Sequence, residues 1–308
     1  MNAASWISAV GDKVSATWRF SRPHTIYGTT ASLVGLYLLA LERWQAWWEL
    51  LPGLAIALLA CLCANIYIVG LNQLIDVEID RINKPYLPLA SGQLSWGQGC
   101  WIVAVLGAFS LAVSAHQQRF LFATVLLSNA IGTAYSLPPI RLKRFPFLAA
   151  LCIYTVRGIV VNVGLYLYFR AMGGSQAQLS PQVWALVAFV LVFTLAIALF
   201  KDIPDMEGDY CFHIATFSLR FGAKWTFHLC LGLLTAAYGL MAIAGWWLPE
   251  VNRSLLVLGH GGALAVLWWY RWRLPSWERQ EMYRYYQLIW KLFYLEYLLF
   301  PAAHLLKS

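Results

Sequence analysis

The sequence predicts an all-α, polytopic membrane protein: nine transmembrane helices in a bundle around a central cavity. Three observations predict it. Of 308 residues, 60% are hydrophobic and only 12% are charged, about half the charge of an ordinary soluble domain. A spanning helix needs roughly 20 mostly apolar residues, and nine stretches qualify or nearly qualify. These stretches are continuous apolar runs without strand-like alternation, and backbone in lipid must satisfy its hydrogen bonds internally, so helices are expected. Residues 1–308 read as one membrane-embedded domain.

In chain order, the first 24 residues carry Trp6, Asp12 and Lys13 without a continuous apolar core. They read as a short amphipathic lead-in, with no signal or transit segment. The spans run from Thr25 to Leu41, Leu51 to Leu74, Gln98 to Ala115, Phe120 to Leu137, Phe145 to Phe169, Val183 to Phe200, Trp225 to Leu248, Ser254 to Tyr270 and Tyr286 to Leu306. The net charge of +8 could suggest nucleic acid, but its placement argues against that partner. Fifteen of the 22 basic residues fall in loops on one side of such a bundle. Five, Arg43, Arg119, Arg170, Arg253 and Lys307, fall on the other, and Arg157 and Lys291 lie inside spans. The positive-inside rule then places the N-terminus in the cytoplasm and the C-terminus outside. The six cysteines lie mostly in apolar spans. Cys61 and Cys63 point to different helix sides, so they read as reduced core residues and not as a metal or disulfide pair.

Only 14 residues are acidic, and seven of them crowd into two windows. These are Asp76, Glu78 and Asp80 in NQLIDVEID, and Asp202, Asp205, Glu207 and Asp209 in KDIPDMEGD. Asn72, Asp76 and Asp80 are spaced by four and would stack along one face of a continued helix. Asp202, Asp205 and Asp209 also share a face, although Pro204 and Gly208 suggest that the helix ends there. Both clusters fall at the cytoplasmic end of a span and can meet. As plain solvated acids they would be poorly placed, because carboxylates at a helix C-terminus oppose the macrodipole and repel each other. A hard cation answers both objections. Magnesium takes oxygen ligands and commonly bridges protein carboxylates to substrate phosphates.

The same face supplies cationic donors. YSLPPIRLKR places Tyr135 at the end of the fourth span, ahead of Arg141, Lys143 and Arg144, and Arg22 and Lys84 flank other spans. Ordinary positive-inside charge explains such residues equally well. Arg157 differs, because a charge within a span is costly and usually faces a polar cavity, or pairs with a carboxylate. Asn65 and Asn162 read as helix–helix hydrogen bonders, and Lys291 and Glu296 as a loose intramembrane ion pair. No HExxH spacing and no Walker-type loop occurs, which removes metalloprotease and ATP-driven pump readings.

Two acid clusters on the second and sixth of nine helices resemble the UbiA family of membrane prenyltransferases. The segments NQLIDVEIDRINKPYLPLASG, YSLPPIRLKR, VRGIVVNVGLY, KDIPDMEGDYCFHIATFSLRFG and YQLIWKLFYLEYLLFP look like its homogentisate prenyltransferase branch. Gln73, where many members carry a second acid, is typical of the homogentisate and chlorophyll branches. His213 departs from the glycine often found after the second cluster, which leaves the shape of that loop open. The resemblance implies an allylic diphosphate donor, above all phytyl diphosphate, and homogentisate as acceptor. It implies Mg²⁺ held by Asn72, Asp76, Asp80, Asp202, Asp205 and Asp209, with Asp76, Asp80, Asp202 and Asp205 essential to catalysis. Substrate contacts fall to Asn72, Arg22, Tyr135, Lys143, Arg144, Arg157 and Lys84. Without a plastid leader, a cyanobacterial thylakoid or plasma membrane is implied. Solanesyl transfer to homogentisate and phytyl transfer to chlorophyllide are the neighbouring activities. A secondary transporter is the alternative outside enzymes, but transporters bind near the bilayer midplane, and these acids sit at one membrane edge beside a basic loop.

Overall fold

Proline and cap chemistry decide where the helices begin. The computed structural model describes residues 3–41, 47–176 and 178–307, all helices and connecting turns, with no strand among the described residues. The lead-in is a helix, α1 (Ala3–Phe20), followed by α2 (Pro23–Ala40), α3 (Leu51–Ile75) and the short α4 (Val77–Asn83). Next come α5 (Trp96–Ala115), α6 (Arg119–Ser136), and α7 (Pro146–Tyr154) running through a π-helical turn at Thr155–Val160 into α8 (Val161–Met172). The remainder is α9 (Pro181–Phe200), α10 (Met206–Cys211), α11 (Phe217–Phe221), α12 (Ala223–Ala244), α13 (Arg253–Trp272) and α14 (Arg279–Leu305). Proline starts α2, α7 and α9, where its missing N–H costs nothing. Ser95 and Gln98 form a reciprocal capping box at the head of α5.

Each predicted apolar stretch falls on a helix. Five of these helical stretches, Leu51–Ile75, Trp96–Ala115, Pro146–Met172, Pro181–Phe200 and Ala223–Ala244, have the length and hydropathy to cross a bilayer. The other four, α2, α6, α13 and α14, are 18 to 27 residues long but carry more polar and aromatic residues. The chain is an integral membrane protein. Arg43, counted above on the sparsely charged side, lies outside the described residues.

α3 packs along α5, α9 against α12, and α2 against α14. The α2–α14 contact is close enough to demand glycine. A Cβ on Gly35 would stand 2.5 Å from the backbone oxygen of Tyr297, and backbone cannot move aside as a side chain can. The core is rich in rings, with Phe193, Phe200, Phe227, Tyr238, Phe293 and Tyr297 fully buried.

One pairing expected from the sequence is corrected. Glu296 is completely buried and bonds to His260 of α13 at 3.1 Å, while Lys291 is exposed. Five residues along a helix turn a side chain about 140° around the axis, so Lys291 and Glu296 face different surroundings. Asn65 and Asn162 do bond across helices. Asn65 donates to Thr25 Oγ1 at 2.9 Å, and Tyr297 Oη donates to Asn162 Oδ1 at 2.7 Å.

Candidate active site

The first acid window does not continue α3 unbroken. The helix breaks at Asp76 (φ −105°, ψ 19°), and α4 starts at the next residue. Four-residue hydrogen bonds nonetheless bridge the break, from Asp76 N–H to Asn72 O at 3.1 Å and from Asp80 N–H to Asp76 O at 2.8 Å. The side chains therefore keep a common direction. The second window leaves α9 after Phe200 and turns through 201–205 into α10. Gly208 joins the two windows. Its N–H donates to Asn83 Oδ1 at 2.9 Å, and a Cβ there would meet that oxygen at 2.5 Å.

Both windows line one cavity of about 300 Å³. Asn72, Asp76 and Asp80 face Asp202, Asp205 and Asp209 across it, and Arg22, Lys84, Tyr135, Lys143 and Arg144 contribute to its wall. Glu78 and Glu207 turn away, paired with Arg81 at 2.7 Å and Arg279 at 3.1 Å.

Four of the five cavity aspartates are paired with cations. Lys143 and Arg141 hold Asp76, the latter at 3.3 Å, and Asn72 Nδ2 donates to Asp76 Oδ2 at 3.1 Å. Arg22 lies 3.7 Å from Asp80, Lys84 binds Asp205, and Lys201 binds Asp202 at 2.6 Å. Arg22 and Arg141 both reach their carboxylates from left-handed backbone, φ 51° and 40°, an uncommon conformation for such residues. His213 on the cavity wall is also left-handed at φ 53°. That is the conformation a glycine takes without strain. Arg144 stacks over Phe145 at 4.8 Å.

Burial governs the electrostatics. It raises the carboxyls of Asp80 and Asp202 against the opposing pull of Arg22 and Lys201, and it pushes Asp209 up to about 7. It also lowers the ammonium of Lys143, even with Asp76 beside it. Among the described residues, no three acid, histidine or cysteine groups converge tightly enough to define an ion site by themselves. The donors still fit a hard divalent ion shared with phosphate. They are oxygen throughout, and the buried Oδ2 of Asp80 accepts no hydrogen bond.

The family model described as "UbiA prenyltransferase family" matches residues 29–293. The chain belongs to the UbiA prenyltransferase family. This UbiA chain is 52% identical over 297 residues to a homogentisate phytyltransferase of Synechocystis sp., covering 94% of this chain and 96% of that one. It is 42% identical to homogentisate phytyltransferase 1, chloroplastic, of Arabidopsis thaliana, over 94% of this chain and 75% of that one. A solved UbiA homolog from Archaeoglobus fulgidus, bound to GPP and Mg²⁺, superposes with a TM-score of 0.63 at 17% identity, covering 94% of this chain and 99% of that one.

Of the site residues expected from sequence, the UbiA chain brings all but one to this cavity. Arg157 is elsewhere, lining a second cavity. Lys201, Asn83 and Phe217 also line the first cavity and were not singled out. The signal available for Lys201 was its position immediately before Asp202.

Proposed function

We propose that this UbiA prenyltransferase moves a phytyl group from its diphosphate to homogentisate, releasing diphosphate and CO₂ and forming 2-methyl-6-phytylbenzoquinol. The observation that carries the reading is the convergence of two acid windows and a basic rim on one cavity. The identities to homogentisate phytyltransferases support the choice of substrates.

Transfer requires the allylic C–O bond to break with its electron pair leaving on the diphosphate. In this reading Asn72, Asp76, Asp80, Asp202, Asp205 and Asp209 hold magnesium. Bound there, the ion supplies Lewis-acid stabilisation to the departing oxygens. Arg22, Lys84, Lys143 and Arg144 bind the phosphate oxygens through charge-assisted hydrogen bonds. Held in place beforehand, they meet growing negative charge without reorganisation. Tyr135 lines the cavity wall. Its aromatic face stabilises positive charge, and the surrounding apolar helices keep water from it. The ring of the acceptor then forms the new carbon–carbon bond and releases the proton of that carbon, its carboxylate leaves as CO₂, and the methylene left behind takes up a proton to become the methyl group. A single catalytic domain opening to the cytoplasmic side of a cyanobacterial thylakoid or plasma membrane completes the proposal.

The test is product formation by purified protein with homogentisate, Mg²⁺ and, separately, phytyl, geranylgeranyl and solanesyl diphosphates. A phytylated quinol that disappears with EDTA and in Asp76→Ala is the expected result. Preference for solanesyl diphosphate would reassign the donor, and activity only with chlorophyllide would reassign the acceptor.

A further inference from the structure

Arg157 sits at the centre of the π-helical turn Thr155–Val160, a helix irregularity that often accompanies function. The turn is held from outside. Asn162 Nδ2 donates to the carbonyls of Arg157 at 2.7 Å and Gly158 at 2.9 Å, and Tyr297 Oη fixes that amide from α14. The guanidinium lies over Trp290 at 4.5 Å and Phe293 at 5.5 Å. Its Nη1 is buried and has no hydrogen-bond partner, and no carboxylate pairs with it among the described residues. This is a cation oriented by aromatic faces with a donor edge left over.

Arg157 lines a second cavity, about 110 Å³ in volume, together with Trp290, Thr25, Asn65 and Ser128. That is smaller than the roughly 150 Å³ cavity that holds one benzene ring, so an aromatic acid enters it only as the lining side chains give way. Asn65 spends its amide N–H on Thr25, and its carbonyl oxygen takes no hydrogen bond from a described residue. The two cavities share helices. Asn72 and Tyr135 line the first, while Asn65 and Ser128, each seven residues earlier on α3 and α6, line the second. Seven residues rise about 10 Å, so the second cavity lies directly deeper in the bundle than the diphosphate cavity.

We propose that the second cavity is the acceptor site, where Arg157 binds the carboxylate of an aromatic acid and Asn65 accepts a ring hydroxyl. The inference rests on the transferase reading and adds the acceptor's anchor to it. Trp290 and Phe293 flank the ring, whose far edge points back toward the allylic carbon. Arginine suits the task because its planar fork pairs with a carboxylate through two hydrogen bonds, which fixes orientation as well as position.

Equilibrium binding to the purified full chain in detergent tests this, with homogentisate and the carboxylate-free methylhydroquinone as acceptor probes and phytyl diphosphate with Mg²⁺ as the donor probe. The wild-type protein is expected to bind homogentisate about tenfold to a hundredfold more tightly than methylhydroquinone. Arg157→Met should erase that difference and leave the donor Kd within about twofold, and Arg157→Lys should recover only part of it. Equal wild-type affinity for the two acceptors, with donor binding intact, overturns this inference alone and needs no variant to fold. Weakened donor binding with unchanged acceptor binding in Arg157→Met also overturns it and assigns the cavity to the prenyl tail. A wild-type protein that fails to bind the donor overturns the transferase reading and this inference with it.

Discussion

Lys84, at the end of α4, binds the carboxylate of Asp205, 121 residues further along the chain. The pair ties the two acid windows together across the cavity, and both side chains are mostly buried, 23% and 17% exposed. Lys84→Met would leave a carboxylate without its cation. The variant is expected to lose about 1–3 kcal/mol of stability, read as a lower thermal unfolding midpoint in detergent. Lys84→Met/Asp205→Asn should lose less than the sum of its single variants, since contacting residues are coupled.

The acids divide by direction. Asp76→Asn and Asp202→Asn should reduce kcat/KM by about a hundredfold or more, the scale of losing one preorganised electrostatic contact. Glu78→Gln and Glu207→Gln should stay within about twofold, because neither they nor their partners Arg81 and Arg279 line the cavity. Equal losses across all four would show that acid density alone matters, not the facing geometry.

Gly208→Ala places a methyl group 2.5 Å from Asn83 Oδ1 and should push α10 off α4. Activity is expected to fall by about tenfold or more, since a misplacement of 1 Å can cost a hundredfold. Asn83→Ala makes room for the methyl, so Gly208→Ala should do less harm in that background. Steady-state rates of the four proteins decide it.

His213 occupies left-handed backbone at φ 53°, a region that costs an L-residue roughly 1–2 kcal/mol. His213→Gly should therefore raise stability by about 1 kcal/mol after the extra chain entropy of glycine is subtracted. Thermal unfolding of the two proteins gives the sign.

Much of this site could be read from spacing. Asn72, Asp76 and Asp80 stand four apart, and the helix break at Asp76 did not spoil their common direction because the four-residue hydrogen bonds run through it. What spacing could not convey was depth and rotation. Arg157 was visible as an intramembrane charge, but its separation from the acids depends on how far down the bundle its turn lies. Glu296 was visible too, yet its partner His260 comes from α13, and the rotation of α14 that brings them together is set by packing of rings such as Phe293 and Tyr297. Lys201 was hidden in another way: a lysine beside a helix end resembles any positive-inside charge until the turn after Phe200 folds it onto Asp202.

The paired charges of the first cavity carry a thermodynamic consequence. A divalent ion arriving alone would take carboxylates from Lys84, Lys143 and Lys201 and strand three ammonium groups. A diphosphate arriving alone would take the ammonium groups and strand the carboxylates. Together they would exchange partners with the protein, the ion taking the carboxylates and the diphosphate the ammonium groups they release. Metal and diphosphate bound in this way would each raise the affinity of the other by the same factor, as reciprocity requires.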